Sequence, residues 1–287
     1  MAVLTMLAMG AWLAVNGNSQ TTEGLKWLQF FQTVGTFLLP PIFCAWLWSE
    51  NHRPFEWLKL NKGADGLSFA LAIGIMVCAI PAINLLADLN SRIDLPDSLE
   101  QKLRAMEESA AALTVRFLQA DNLGGLLLNI GLMALLPALS EELTFRGTLQ
   151  QTLAEVQKPA TAIWVTAFIF SAVHMQFYGF IPRMLMGAMF GYIFVWSGCL
   201  WIPIVMHLVN NSLAVLFYYF WEQSATGGQS LTDTKNIADT LGAGDTWWIG
   251  VLSLLITCLG LLRFYRRTRT RGFSCACGYP TDAVQGS

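Results

Sequence analysis

The sequence predicts an all-α protein, a polytopic membrane helical bundle of about eight transmembrane helices with one amphipathic surface helix. Hydrophobic residues make up 54% of the 287 residues and charged residues 13%, whereas soluble domains carry about 25% charged residues. The mean hydropathy of the chain is +0.49. Apolar stretches of roughly 20 residues, the length that crosses a bilayer as a helix, recur along the sequence.

The charge balance and the cysteines argue against several classes of function. The net charge is −2 and the body of the chain has no basic stripe, which argues against nucleic-acid binding. The six cysteines form neither a disulfide nor a zinc-finger pattern, and four of them are scattered through apolar segments. Cys275 and Cys277 form a CxC in the tail that could bind a metal or be acylated, but two ligands are too few to specify a zinc site.

Three spans are expected before residue 90. They are residues 1–15, which are short for a span, residues 25–48 and residues 66–86. Pro40 and Pro41 are expected to kink the second span. The loop that follows the second span carries three basic residues, Arg53, Lys59 and Lys62. The positive-inside rule therefore places this loop in the cytoplasm.

Residues 96–120 have the pattern of an amphipathic helix on the membrane surface or capping the bundle. Apolar residues recur at helical spacing, at Leu99, Leu103, Met106, Leu113 and Phe117. Charges at Glu107 and Glu108 break this apolar series. Such a helix serves as scaffold or gates access to the bundle.

Five further apolar helices complete the bundle. The expected segments are residues 123–139, continuing to about 156, then 160–173, 181–196, 202–221 and 247–262. Short connections between the middle segments make them antiparallel neighbours. The polar stretch 222–245 is expected to be an external loop, and five arginines follow the last span. Eight spans with both termini cytoplasmic satisfy the basic loop and the basic tail together.

Residues 140–147 place three formal charges directly after an apolar run. Charges beside or inside a membrane segment are costly, so they usually sit in a protein interior or a wet cavity and mark function. Glu142 and Arg146 are four apart on a helix, with the acid first, which is the favourable order for an ion pair. Glu141 lies about 100° around the helix from Glu142. Glu141 therefore remains free for chemistry, unless the cluster is only a solvated helix end.

Two of the three histidines, His174 and His207, are expected to lie within apolar helices. A single histidine there is often a residue that hydrogen-bonds between helices. However, if the chain turns near Gln157, Glu141 stands 16 residues before the turn and His174 stands 17 after it. Antiparallel helices then bring both side chains to a similar depth, roughly 24 to 26 Å from the turn.

Two more spacings bring polar and aromatic side chains onto shared helix faces. His207 and Asn211 are four apart, as are Phe170 and His174. A carboxylate, two imidazoles and a carboxamide can activate a water and stabilise an oxyanion. They can equally bind a divalent metal such as zinc, for which Glu and His are ordinary ligands and Asn a poor one. The presence of Asn in this set favours metal-free general-base chemistry, or a metal ion that takes only some of its ligands from the protein.

The three motifs resemble those of the CPBP family, which comprises type II CAAX prenyl endopeptidases and Abi/bacteriocin-processing intramembrane proteases. They are Glu141-Glu142-x-x-x-Arg146, Phe170-x-x-x-His174 and His207-x-x-x-Asn211, in that order. The resemblance covers residues 123 to about 220. It divides the chain into N-terminal spans and amphipathic helix (1–122), a CPBP/Abi-like protease core (123–221), and external loop, last span and basic tail (222–287).

The resemblance implies a role for each motif residue. Glu141 would activate the attacking water with help from His174, while His207 and Asn211 would stabilise the oxyanion. Glu142, Arg146 and Phe170 would support them. The family is often labelled as metalloproteases, although a metal-free glutamate mechanism has been argued for its eukaryotic relatives. Any zinc ion would take Glu141, His174 and His207, since no other intramembrane histidines exist.

The function expected is that of an intramembrane endopeptidase in the lipid bilayer of the cell (inner) membrane. Its substrate would be a membrane-anchored peptide or protein, and nucleic acid is not a partner. One alternative is a non-catalytic relative that serves bacteriocin immunity or acts as a signalling scaffold through the same cavity. The other is a transporter that uses Glu141 and the histidines as a proton relay. A transporter is favoured by inverted repeats, which the sequence does not display.

Overall fold

The computed structural model describes residues 21–224 and 241–270, and in these ranges all regular secondary structure is helical. The principal helices are α1 (Thr22–Trp48), α2 (Gly66–Ser91), α3 (Asp97–Leu118), α4 (Leu123–Val156), α5 (Pro159–Ala172), α6 (Phe180–Ser197), α7 (Trp201–Ser224) and α8 (Trp247–Thr270). A four-residue helix, Pro54–Trp57, lies between α1 and α2. The expected span 1–15, the tail CxC and most of the polar loop lie outside the described residues.

Six of these helices are long and apolar enough to cross a membrane, namely α1, α2, α4, α6, α7 and α8. The prediction of an all-α, multi-pass membrane protein is therefore confirmed. Helix α5 is apolar but has only 14 residues, fewer than the roughly 20 that a full span needs. Six such helices within the described residues are roughly consistent with the expected eight.

Two of the long helices contain wider, π-type turns. In α1 the turn Val34–Leu38 comes just before Pro40, and in α4 the turn Ile130–Leu135 comes just before Pro137. Proline lacks the N–H group that an α-helical hydrogen bond needs, so the backbone adjusts ahead of it. A second π segment of α4, Leu143–Gln150, contains no proline and begins directly after Glu142. Such segments are frequent at functional sites.

The core lies where α2, α6, α7 and α8 meet. Its fully buried side chains include Met76, Phe190, Ile193, Met206 and Phe264. Helices α2 and α8 approach closely because α8 presents glycines: a Cβ at Gly250 or Gly260 would lie 2.7–2.8 Å from side-chain atoms of α2. Small residues allow membrane helices to pack in this way. This group of helices packs beside the polar site.

The surface helix α3 packs part of its apolar series against the protein, with Phe117 buried and Leu103 half-buried. Leu99, Met106 and Leu113 are exposed, whereas Glu107 is half-buried against the protein. Glu107 is accommodated there because Gln176 Nε2 donates a hydrogen bond to its Oε1 at 3.1 Å. The apolar spacing predicted the helix, and the hydrogen bond from Gln176 accommodates a charged residue on the side that faces the protein.

Candidate active site

The pair expected from spacing is present in α4 and fully buried. Arg146 Nη1 donates to Glu142 Oε1 at 2.7 Å, and both side chains are 0% exposed. Arg146 Nη2 also donates to the carbonyl of Gly187 in α6 at 2.9 Å. Taking either charge out of water alone would cost several kcal/mol, so these groups stabilise each other only as a unit. The pair fixes α4 against α6.

Two aromatic rings enclose the Arg146 guanidinium. Its Cζ atom lies 4.6 Å from the ring centre of Phe170 and 5.3 Å from that of Phe190, which is a cation–π arrangement. A Cβ on Gly187 would meet Phe170 Cδ1 at 3.2 Å and Arg146 Nη2 at 3.3 Å. Gly187 is therefore needed for the close approach of α6 to the buried charge.

His207, in α7, lies against both adjacent glutamates. Its Nδ1 is 2.9 Å from Glu142 Oε1, and its Nε2 is 3.9 Å from Glu141 Oε2. The imidazole is buried, with the rings of Phe170 and Phe190 at centroid distances of 6.0 and 5.5 Å. The contact between His207 and Glu142 was not predicted, because residues 65 positions apart share no local pattern. It makes the pair of Glu142 and Arg146 the link between α4, α6 and α7.

His174 lies in the turn that follows α5, and the expectation that it lies within an apolar helix is wrong. Helix α5 ends at Ala172, and His174 Nδ1 is 2.7 Å from the carbonyl oxygen of Phe170. A carbonyl only accepts, so Nδ1 carries the proton and donates it there. The Phe170 ring also packs on the His174 ring at 5.2 Å. Phe170 therefore contacts both histidines and the arginine.

Glu141 and Asn211 are the remaining predicted site residues. The Glu141 side chain is 17% exposed, whereas its neighbour Glu142 is 0% exposed. Asn211 lies one turn after His207 in α7, and its Oδ1 accepts a hydrogen bond from Asn210 Nδ2 at 3.1 Å. The Asn211 amide group also carries two N–H donors.

A polar chain beside the site escaped the sequence analysis. Arg183, in the first turns of α6, donates from Nη2 to Gln176 Oε1 at 2.7 Å, and Gln176 bonds to Glu107. Arg183 also interacts electrostatically with Glu141. Burial raises the pKa of Glu107, against the opposing effect of Arg183. The available signal was a charged residue inside an expected span, which usually marks function.

The arrangement of the histidines does not fit a zinc site. In the part of the chain that the structure describes, no three His, Cys, Asp or Glu side chains come together so that they could hold a metal ion. The Nδ1 atoms of His174 and His207 are both engaged by protein oxygens, which leaves their Nε2 atoms as the nitrogens that could bind an ion or a water. Asn211 is in any case a poor zinc ligand. What this site can do depends on which histidine nitrogens carry protons.

The candidate site lies within a region of the chain that matches a known protein family. Residues 123–213 match the family described as "Type II CAAX prenyl endopeptidase Rce1-like". The matched region contains the three motifs of the sequence analysis together with Arg183, and it leaves out α1 to α3 and α8. A search of curated proteins and a search of solved structures each found no significant match.

Proposed function

We propose that this chain, which belongs to the CAAX protease family through its residues 123–213, is an endopeptidase that hydrolyses peptide bonds within the membrane. The family match supports the general assignment of a CAAX-type intramembrane protease that acts on membrane-associated substrates. The finer proposal is that Glu141 activates the attacking water, and that the substrates are membrane-anchored peptides, protein tails or leaders. The enzyme resides in the cell (inner) membrane.

The observation that carries this proposal is the contrast between the two adjacent carboxylates. Glu142 is fully buried and accepts hydrogen bonds from Arg146 and His207, so it is committed to the protein. Glu141 is 17% exposed, and its carboxylate can meet a water molecule. A general base must reach the proton that it abstracts. Of the two, Glu141 is the one placed to do so.

His174 assists by orienting the water. Its Nδ1 proton is donated to the Phe170 carbonyl, so its Nε2 is the nitrogen that is left to accept a hydrogen bond from water. The Phe170 ring holds this imidazole in place. Glu141 then removes one proton from the water while the oxygen attacks the carbonyl carbon of the scissile peptide bond.

The attack converts the carbonyl oxygen into an oxyanion, which N–H donors stabilise. His207 Nε2 and the Asn211 amide lie one helical turn apart on α7 and supply two donors. Removing one such donor typically costs about 10²–10³-fold in rate. Collapse of the tetrahedral intermediate breaks the C–N bond, and the proton held by Glu141 passes to the leaving amine. The carboxylate of Glu141 is thereby restored.

Comparison of membrane peptides in cells that express different variants tests this function. Cells expressing the native chain should accumulate cleavage products that are absent with Glu141→Gln, which keeps the side chain's size but removes the base. Glu155→Gln is the matched control, because Glu155 lies on the same helix and is exposed. If the Glu141→Gln cells contain the same products, the endopeptidase proposal is wrong. A scaffold or a transporter would then account better for the site.

A further inference from the structure

The turn that carries His174 contains a strained backbone position. Met175, the next residue, has a φ of +55°, in the left-handed region that disfavours any residue with a Cβ atom. Such a conformation persists where the surrounding structure holds it in place. The Met175 side chain is 67% exposed, so its own packing contributes little. The contacts of the residues that follow Met175 therefore maintain the turn.

Gln176 is hydrogen-bonded at both ends of its side-chain amide. Its Oε1 accepts from Arg183 Nη2 at 2.7 Å, and its Nε2 donates to Glu107 Oε1 at 3.1 Å. An arginine can only donate, so the amide oxygen faces Arg183 and the amide nitrogen faces Glu107. Only this orientation of the amide satisfies both neighbours. Gln176 thereby joins the turn to α6, through Arg183, and to α3, through Glu107.

The next two residues of the turn are bound by side chains of α2 and α3. Asn90, in the last turn of α2, is 3% exposed, and its Nδ2 donates to the carbonyl oxygen of Phe177 at 2.7 Å. The guanidinium of Arg104, in α3, lies 4.9 Å from the ring centre of Tyr178, which is a cation–π arrangement. Three helices thus hold the chain directly after His174.

The backbone of this turn determines where the His174 ring lies. His174 comes two residues after the end of α5 at Ala172, so the regular helix does not fix its backbone. The contacts of its ring with Phe170, a hydrogen bond at 2.7 Å and a ring contact at 5.2 Å, depend on the direction in which the chain leaves α5. A displacement of a catalytic group by about 1 Å can cost about 10²-fold in rate.

We propose that Glu107 of α3 is a positioning residue for His174, which it holds in place through Gln176 and the left-handed turn at Met175. The proposal deepens the proposed function and rests on it for the role of His174. It also brings a helix outside the matched residues 123–213 into the catalytic machinery. The sequence analysis predicted only a scaffold or a gate for α3.

Amide hydrogen exchange of the full chain in detergent tests the placement of the turn and needs no substrate. The amides of His174 and Met175 donate to the carbonyl oxygens of α5 at 3.3 and 3.0 Å. In Glu107→Ala both amides should exchange about tenfold faster, the ratio expected for one lost hydrogen bond. In Glu107→Gln they should exchange no faster than in the native chain, because the new amide oxygen still accepts from Gln176. Glu108→Ala is the control, since Glu108 is exposed.

Cleavage kinetics separate a positioning role from a merely structural one. Per folded molecule, Glu107→Ala should lower kcat by up to about 10²-fold and change KM little, because the misplaced His174 acts in the transition state. Glu107→Gln should restore kcat. Asn90→Ala should lower kcat in the same way, since it releases the carbonyl of Phe177 in the same turn. A merely structural role would reduce the amount of folded protein and leave kcat per folded molecule unchanged.

Two results would overturn the proposal. They are native exchange of the His174 and Met175 amides in Glu107→Ala, and a native kcat per folded molecule in that variant. If Glu107→Ala does not fold, Gln176→Leu takes its place, because it removes the same bridge and leaves α3 unchanged; native exchange in that variant would likewise contradict the inference. A native chain that cleaves no peptide would refute the proposed endopeptidase, whereas the exchange measurement would still decide whether Glu107 holds the turn.

Discussion

Glu142, Arg146 and His207 form a unit whose members cannot be removed singly without cost. Spacing on one helix predicted the contact between Glu142 and Arg146, and the structure contains it. The added bond to His207 joins this pair to a second helix. A substitution at Glu142 should therefore affect both the stability of the fold and the chemistry of His207.

Breaking the buried pair should destabilise the protein strongly. In Glu142→Gln the guanidinium of Arg146 loses its counter-ion, and in Arg146→Met the carboxylate of Glu142 loses one of two donors. Removing one partner of a buried pair costs about 3–5 kcal/mol in the free energy of unfolding. The double substitution should cost less than the sum of the two singles, because no charge is then left alone. Melting temperatures in detergent measure this, and additive losses would contradict it.

The two variants should differ in cleavage rate per folded molecule. Glu142→Gln should lower the rate further than Arg146→Met, because it removes the charged acceptor that holds the His207 ring at 2.9 Å. The loss in Arg146→Met should be far smaller once the rate is corrected for folded protein. Equal rates per folded molecule would mean that the pair has only a structural role.

The need for a glycine at position 187 can be tested by adding a single methyl group. Gly187→Ala places a methyl group against Phe170 and Arg146 at 3.2–3.3 Å, and overpacking of this kind costs about 1–3 kcal/mol. Gly74→Ala in α2 is the control, since nothing lies within 4 Å of its Cβ position. Alanine also favours a helix by about 0.5–1 kcal/mol over glycine. A lower melting temperature for Gly187→Ala alone is expected, and an equal response of both variants would contradict the packing account.

At the scale of the element, helix α3 is held by polar contacts to the loop that carries His174. Glu107 bonds to Gln176, which bonds to Arg183, and the Arg104 guanidinium lies 4.9 Å from the ring centre of Tyr178. Burial raises the pKa of Glu107 above its ordinary 4.5. An acid with a raised pKa stabilises the folded state below its unfolded pKa, and this contribution is lost as the pH rises through the folded pKa.

The docking of α3 should therefore weaken as the pH rises from about 4.5 toward neutral. The native chain and Glu107→Gln are compared at the same pH. As the pH rises over this range, amide hydrogen exchange of residues 97–118 should become progressively faster in the native chain than in the variant. Glu107→Gln removes the titrating group and should abolish the dependence. Glu108→Gln is the control, since Glu108 is its exposed neighbour. A pH dependence that survives in Glu107→Gln would contradict the assignment to Glu107.

The elements illustrate what local sequence patterns can and cannot determine. Helix boundaries followed closely from apolar runs, because burial in lipid requires long apolar helices. The contact between Glu107 of α3 and Gln176 was not predictable, because 69 residues separate the two. The π segment Leu143–Gln150 of α4 contains no proline, so it had no local signal in the sequence.

At the scale of the whole molecule, both termini and the loop with Arg53, Lys59 and Lys62 are expected to be cytoplasmic. These segments hold the densest basic clusters beside spans, and such clusters stay on the cytoplasmic side. Single cysteines introduced into the loop, the tail and the external stretch 222–245 can be treated with an impermeant thiol reagent in intact cells. Only the stretch 222–245 should be labelled. Labelling of the loop or the tail would contradict the eight-span topology.

The three motifs identified the family region correctly, since the matched residues 123–213 contain all of them. The spacing of residues along the sequence was enough to identify the motif residues, because each motif spans only five or six positions. It could not reveal that His207 bonds to Glu142, that His174 occupies a turn, or that Arg183 interacts electrostatically with Glu141. Those relations join different helices and exist only after the bundle has packed.

The central claim is that Glu141 is the general base of an endopeptidase, and one rate decides it. Purified full chain in detergent is given a membrane peptide whose cleavage was found in cells, and the rate is divided by the amount of folded protein. Glu141→Gln should fold with a nearly native melting temperature and cleave nothing, while Glu155→Gln should cleave at the native rate. A Glu141→Gln protein that is folded and cleaves at the native rate would contradict the account.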